Sequence, residues 1–196
     1  DDIYVPSYRE DVEGMQDIAE EIARIYGYNK IEATPIVAGL TQGERTPHQK
    51  FDNLVRDTLC ALGMYEINTF SFISPKYYDK ICMPKDDKRR NSVVIMNPLG
   101  EDTSVMRTTS MPSILEVLAR NNNLKNEEVS LFEAATIYIP NEDKEKLPSE
   151  PKQLVMGMYG NVDFYDLKGN IEELLNKCGI YGVEYKAEKE NPTFHP

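Results

Sequence analysis

Four acidic residues near the N-terminus have the types and spacing of a binding site for a hard metal ion. Asp17, Glu20 and Glu21 stand at positions i, i+3 and i+4, so a helix places them on one flank. Asp11 comes from the preceding turn and can fold back over that flank. Carboxylate oxygens suit Mg²⁺, and no histidine or cysteine lies close by in the sequence to favour zinc. Solvated acids at a helix start, or a surface pair between Glu20 and Arg24, fit the same spacing.

Arg107 is the best candidate in the sequence for binding a phosphate group. An arginine can hold a phosphate through two parallel hydrogen bonds, but a triphosphate needs several fixed cations. No arginine occurs between Lys125 and Pro140, or anywhere after Arg120. An ordinary ion pair, at the surface or at a helix start, therefore explains Arg107 better.

No other constellation of catalytic residue types is present. His48 and His195 are isolated, and the three cysteines, Cys60, Cys82 and Cys178, are far apart. This spacing excludes a CxxC zinc pair and argues against a disulfide framework, so we expect a reducing, cytoplasmic setting. The sequence has no Walker loop, GxGxxG or Ser/His/Asp set. It therefore predicts no catalytic residue and no cofactor-binding residue.

The charge balance disfavours tight, independent binding to nucleic acid. The 196 residues include 33 acidic and 22 basic ones, with a net charge of −11, which repels a phosphate backbone. No apolar run approaches the ~20 residues of a membrane helix. The start, Asp1-Asp2-Ile3-Tyr4, has neither an initiator Met nor a signal-peptide pattern, so we expect an interior piece of a longer protein.

The first part of the chain must position the acidic cluster. Ile3–Tyr8 is predicted to be a short strand, and Met15–Tyr26 has the apolar spacing of a helix that Gly27 ends. Residues 32–44 contain prolines and glycines without periodicity, which is typical of a linker. We place a domain boundary within it, between residues 38 and 39.

The rest of the chain alternates between helical and strand patterns. The predicted helices are Thr46–Leu62, Ser74–Ile81, Ser110–Ala119 and Asp166–Lys177. The predicted strands are Tyr65–Ile73, Ser92–Met96, Val129–Ile139, Leu154–Tyr159 and Val183–Ala187. Without regular βαβ alternation, these elements predict an α+β fold with a mainly antiparallel sheet.

Several ordered motifs resemble the phenylalanyl-tRNA synthetase beta subunit of bacterial type. Val5–Val12 (VPSYREDV) and Asp17–Ile31 (DIAEEIARIYGYNKI) are similar to a signature of that family. Further similar stretches are Met106–Leu115, Leu131-Phe132-Glu133, Asp163–Glu172 and Phe194-His195-Pro196, the last of which is the start of a motif that the chain cuts off. The resemblance covers nearly the whole chain.

The resemblance implies a fold and a set of partners. Residues 39–196 are expected to form an inactive, class II aminoacyl-tRNA synthetase-like module, an antiparallel sheet flanked by helices. Residues 1–38 are expected to be the end of a small, metal-associated α/β domain. In the family, the acids matching Asp11, Asp17, Glu20 and Glu21 are implied to bind a Mg²⁺ shared with the alpha subunit.

The family also implies how the chain works in an assembly. ATP would be used by the holoenzyme without binding this segment, and the partners would be the catalytic alpha subunit, in a heterotetramer of two alpha and two beta subunits, and tRNA-Phe. The helix that precedes the first long strand packs on a partner module in the related fold, and here that helix is Thr46–Leu62. Two alternatives stay open: a free-standing ligase of the same fold, of biotin or lipoate type, and a module that contacts tRNA directly.

Overall fold

The structure, a computed structural model, describes residues 3–143 and 145–194. The chain separates into two compact units between Glu44 and Arg45. Residues 32–44 contain no helix or strand, which agrees with the predicted linker. The assignment of residues 1–38 and 39–196 to two domains stays a prediction, and the motif residues His195 and Pro196 lie outside the described part of the chain.

The first unit is built around helix α1, Met15–Tyr26, as predicted. Gly27 ends the helix with a φ of 104°, in the region of positive φ that favours glycine, and its N–H donates to the Ala23 carbonyl at 2.8 Å. A short 3-10 turn follows at Tyr28–Lys30. Helix α1 therefore supplies the flank on which the predicted acidic cluster depends.

The predicted strand at Ile3–Tyr8 is wrong. The chain instead turns, with the N–H of Arg9 donating to the Pro6 carbonyl at 3.0 Å. A strand needs a neighbour for its ladder of hydrogen bonds, and Pro6 has no N–H to contribute. The described part of the first unit contains no strand with which Ile3–Tyr8 could pair.

The second unit combines helices with two small sheets. Its helices are α2, Pro47–Ala61, α3, Lys76–Lys80, α4, Met111–Asn123, and α5, Phe164–Lys177. Its strands are β1, Tyr65–Glu66, β2, Phe72–Ile73, β3, Val105–Met106, β4, Val129–Thr136, and β5, Lys152–Tyr159. Short 3-10 turns lie at Lys88–Arg90 and Glu101–Thr103. No helix in the described residues is long and apolar enough to cross a bilayer.

Side-chain caps fix where two of these helices begin. Thr46 starts α2 as predicted: its Oγ1 accepts from the N–H of Gln49 at 3.2 Å, and the side chain of Gln49 accepts from the N–H of Thr46. Helix α5 starts earlier than predicted, because the Asp163 carboxylate accepts from the N–H groups of Tyr165 and Asp166.

Strand β4 is the centre of the main sheet, whose order is β1-β4-β5. It pairs with β5 in antiparallel fashion along its whole length and with β1 in parallel, Tyr65 facing Leu131. Strands β2 and β3 form a separate antiparallel pair. The predicted α+β fold with a sheet flanked by helices is confirmed, with β1 as a parallel addition.

Helices cover both faces of the main sheet. On one face, Phe132 packs with Leu59 of α2 and Leu174 of α5. On the other, Leu131 packs with Ile114 of α4 and Val155 of β5. Adjacent residues of β4 thus face opposite cores, as the pleat of a strand requires.

Two predicted strands form only in part. The stretch Tyr65–Ile73 is divided into β1 and β2, which belong to different sheets. Ser92–Met96 contributes only an isolated bridge between Val94 and Val105.

The last predicted strand, Val183–Ala187, is absent, since these residues have no helix or strand. Gly179 and Gly182 both have positive φ, 76° and 71°, and turn the chain just before it.

Candidate functional site

Asp17 is used as a cap for helix α1 rather than as a free ligand. Its Oδ2 accepts hydrogen bonds from the N–H of Gly14 at 2.8 Å and from the N–H of Glu13 at 3.0 Å. Gly14 is the N-cap residue, and its N–H has no partner within the helix. The carboxylate that the spacing predicts as a metal ligand therefore already accepts hydrogen bonds at the start of the helix.

Arg9 draws two of the predicted ligands together. Its Nη2 lies 2.6 Å from Asp11 Oδ2 and 2.7 Å from Glu21 Oε1. Arg24 binds the other oxygen of Glu21. Hydrogen bonding to Arg9 lowers the pKa of Asp11 from its usual 3.8 to about 2, and bonding to Arg9 and then Arg24 lowers the pKa of Glu21.

The four acids do not converge on a vacant point between them. Glu20 is exposed on α1, beside Glu21 in sequence. Within residues 3–143 and 145–194, no three His, Cys, Asp or Glu side chains come together in a way that could hold a metal ion. With Arg9 inside the cluster and Asp17 capping the helix, the arrangement present does not fit a Mg²⁺ ion. Sequence reasoning missed Arg9, although it stands two positions before Asp11.

Arg107, the predicted phosphate-binding candidate, is buried and paired with a carboxylate. It is 2% exposed, and its Nη1 lies 3.1 Å from Oε1 of Glu133, which is equally buried. The same Nη1 donates to Thr69 Oγ1 at 2.7 Å, and Nε donates to the Thr136 carbonyl at 3.0 Å. The expected ion pair is therefore an interior one, and the burial of Arg107 disfavours its use as a phosphate ligand.

The basic residue within the strands of the main sheet is also paired. The strands β1, β4 and β5 contain one basic residue, Lys152, and its Nζ binds the Asp52 carboxylate of α2. His48 lies on the exposed first turn of α2, as predicted, with Nδ1 3.2 Å from the same carboxylate. The sheet that would carry phosphate ligands in an active module thus presents no unpaired cation in its described strands.

Helix α2 has a second apolar face beside its core face. Phe51 and Leu54 are 52% and 38% exposed, and Thr58 and Ala61 continue the same flank at positions i+7 and i+10. The core face is separate, since Leu59 is fully buried.

A groove of about 1070 Å³ lies between α3, α4 and the 67–73 segment. Phe70 and Phe72 are exposed along it. On its other side, Tyr77 donates to Glu116, which raises the pKa of Tyr77 to about 12, and Lys80 donates to the same carboxylate at 3.1 Å. Sequence reasoning missed this groove because one of its walls, α4, comes from a part of the chain that is distant in sequence from the other two.

Two family descriptions match the chain. Residues 31–196 match the phenylalanyl tRNA synthetase beta chain CLM domain. Residues 2–28 match the tRNA synthetase B5 domain. Together the two matches span almost the whole sequence.

The most similar relatives found include beta subunits of phenylalanine–tRNA ligase. The one from Clostridium acetobutylicum is 45% identical over 195 residues, which cover 100% of this chain and 25% of the relative. Those from Clostridium tetani and Geobacter metallireducens are 46% and 41% identical and cover 99% and 100% of this chain. The chain thus spans about a quarter of the length of the curated relatives it matches.

Solved structures agree on the fold alone. Two pyrrolysyl-tRNA synthetase structures from Desulfitobacterium hafniense superpose with TM-scores of 0.61 and 0.57, each at 14% identity. The alignments cover 90% and 87% of this chain and 58% and 54% of the synthetase chains. The second unit's sheet and flanking helices are therefore of the synthetase type.

Proposed function

Because the chain belongs to the phenylalanyl-tRNA synthetase beta-chain family, we propose that it is a non-catalytic structural module of a phenylalanine–tRNA ligase. The resemblance predicted from local motifs is confirmed by both family matches. Since the chain spans about a quarter of its relatives, the activity of the whole ligase, ATP-dependent charging of tRNA-Phe with phenylalanine, is part of the proposal.

One observation carries this proposal: the strands of the synthetase-like sheet contain a single basic residue, and the arginine next to the sheet is buried in an ion pair. Transfer of an amino acid through an adenylate needs fixed positive groups on the phosphates. Here Arg107 is buried against Glu133, and Lys152 binds Asp52. We therefore assign ATP binding and catalysis to another subunit. In this proposal the module has a structural role within the cytoplasmic assembly.

The alpha subunit is the proposed partner, in a heterotetramer of two alpha and two beta subunits that binds tRNA-Phe as a whole. The second face of α2, formed by Phe51, Leu54, Thr58 and Ala61, is the surface that we assign to it. Leu59 provides the contact of α2 with the core, whereas Phe51 and Leu54 are exposed on a separate face of the helix. Neighbouring exposed apolar side chains of this kind support an interface with another protein.

Sedimentation velocity of the chain mixed with alpha subunit tests this interface. Phe51→Glu and Leu54→Glu place a charge on the second face, and each should weaken association by about tenfold or more, as loss of a buried anchor does at interfaces. Cys60→Glu is the matched control, because Cys60 is exposed on a different side of the same helix. Substitution of Leu59 is unsuitable, since it would unfold the core.

Association that is equally weakened by all three variants would point to helix damage rather than to an interface. Unchanged association of folded Phe51→Glu and Leu54→Glu chains would remove the second face from the assembly. Circular dichroism of each variant establishes that it is folded.

The Mg²⁺ site formed by Asp11, Asp17, Glu20 and Glu21 stays a proposal for the assembled enzyme. It is supported by the shared flank of α1 and by the proximity of Asp11 and Glu21 around Arg9. Binding would require Arg9 to leave the cluster and the partner subunit to complete the coordination shell.

A further inference from the structure

The stretch Tyr65–Ile73 has the composition of one continuous strand, but the structure divides it between two sheets. Residues 65 and 66 pair with β4, and the N–H of Ile67 still donates to the Phe132 carbonyl at 2.9 Å. By Phe72 the chain pairs with β3 instead. Strand propensity alone gives no reason for the chain to leave β4 after Ile67.

A buried polar cluster lies where the chain leaves the main sheet. Glu133, on β4 next to Phe132, accepts from both the N–H and the Oγ1 of Thr69 at 2.9 Å. Arg107 Nη1 binds Glu133 at 3.1 Å and Thr69 Oγ1 at 2.7 Å. The side chains of Thr69 and Glu133 are thus fixed to each other and to the strand end that carries Arg107.

The backbone of Arg107 completes the connection between the two sheets. Its N–H donates to the Ser71 carbonyl at 2.9 Å, and its carbonyl accepts from the N–H of Tyr138 at 2.9 Å. Glu133 therefore accepts a hydrogen bond from the N–H of Thr69, and the N–H of Arg107 donates one to the carbonyl of Ser71. Both backbone groups would otherwise be available for a longer ladder with β4.

We propose that the Arg107–Glu133–Thr69 cluster is a conformational lock that splits this strand and holds the 67–72 segment off the main sheet. Without the lock, the segment is no longer fixed against Glu133 and Arg107, and it opens away from β3 more often. The lock thereby sets the position of Phe70 and Phe72 along the groove between α3 and α4. The lock determines which path the 67–72 segment follows, and it adds little to the free energy of unfolding of the chain.

The energetics of buried ion pairs support this division of roles. Two charges removed from water lose about as much hydration energy as their attraction returns, so apolar replacements of the whole pair are often neutral or stabilising. Removal of one partner alone leaves an unpaired buried charge and destabilises strongly. A polar pair that adds little stability can still select one arrangement, because only that arrangement satisfies every donor.

Hydrogen exchange of the full chain, read by mass spectrometry on peptides covering residues 65–73, 105–109 and 129–136, tests the lock. In the double variant Arg107→Met/Glu133→Leu, we expect an unfolding midpoint close to that of the wild type. We also expect exchange at residues 69–73 and 105–107 to become about tenfold faster or more, because local opening no longer breaks the cluster. Exchange within β4 should stay slow.

Two further variants separate the role of the cluster from a general loss of stability. Thr69→Val retains the ion pair and removes the hydroxyl, so exchange should rise only around residues 67–71. Lys168→Gln/Glu172→Gln removes an ion pair on α5 that has no link to the segment and should change nothing there.

The proposal is overturned by either of two results. A folded double variant with unchanged exchange at residues 69–73 would show that the strand splits without the cluster. A double variant that fails to fold, together with a Thr69→Val chain of wild-type exchange, would make the pair a stability element only.

Discussion

Arg9 decides the chemistry of the acidic cluster at the scale of single residues. Spacing predicts that Asp17, Glu20 and Glu21 share a helix flank, and the structure has that flank. Spacing cannot predict that Arg9 places one guanidinium nitrogen against both Asp11 and Glu21, since this depends on a turn formed by Pro6 and Arg9. Two ionised carboxylates close together attract the nearest cation, and here a side chain provides it.

Mg²⁺ titration calorimetry of the assembled alpha–beta enzyme tests the cluster. Glu20→Ala/Glu21→Ala removes two of the four predicted oxygen ligands, so one class of Mg²⁺ sites should disappear. Glu13→Ala, an exposed acid just before the helix, serves as the control and should bind like the wild type. Equal binding by the double variant would exclude the assignment.

Arg107 illustrates what sequence reasoning could not supply at this scale. Its lack of arginine neighbours argues against triphosphate binding. Its burial, however, depends on Glu133, 26 positions along the chain. That contact exists only because β3 ends beside β4, and the local sequence around Arg107 contains no signal of this packing.

At the scale of elements, helix boundaries followed closely from local chemistry. Thr46 caps α2 and Gly27 ends α1, because the partners of a cap lie within four residues in sequence. Strands were less predictable, since each needs a neighbour from elsewhere in the chain. Val183–Ala187 has strand-forming residues but pairs with no strand in the described part of the chain. Tyr65–Ile73 pairs with strands of two different sheets.

Gly160 is the turn between β5 and α5 on which the packing of both elements depends. Its φ is 119°, and a Cβ there would lie 2.9 Å from the carbonyl oxygen of Glu127 and from the Cα of Glu128. We therefore expect Gly160→Ala to lower the free energy of unfolding by about 1–3 kcal/mol, through backbone strain and overpacking. Urea denaturation of the chain measures this change.

The same substitution at Gly169 is the control for Gly160. Gly169 lies on the exposed side of α5, and a Cβ there meets nothing within 4 Å. Gly169→Ala should therefore raise the free energy of unfolding by up to about 1 kcal/mol, as alanine favours a helix over glycine. A Gly160→Ala chain as stable as the wild type would contradict the turn's assigned role.

For the whole molecule, the fold class and family followed from ordered motifs, whereas the internal use of charge did not. The order of the motifs can be read directly from the sequence, without knowledge of the structure. The pairing of Arg107 with Glu133 and of Lys152 with Asp52 depends on how the strands are arranged. The scarcity of basic residues in the strands and these two pairs together leave the described strands of the sheet without an unpaired cation for adenylate chemistry.

ATP–pyrophosphate exchange dependent on phenylalanine is the most direct test of a non-catalytic module. The pure chain, shown to be folded by slow hydrogen exchange in β4, should incorporate no more labelled pyrophosphate into ATP than a blank without protein. The complete alpha–beta enzyme, assayed in parallel with Mg²⁺, should exchange readily. Phenylalanine-dependent exchange by the chain alone would contradict the assignment, because it would require phosphate-binding cations that the structure uses elsewhere.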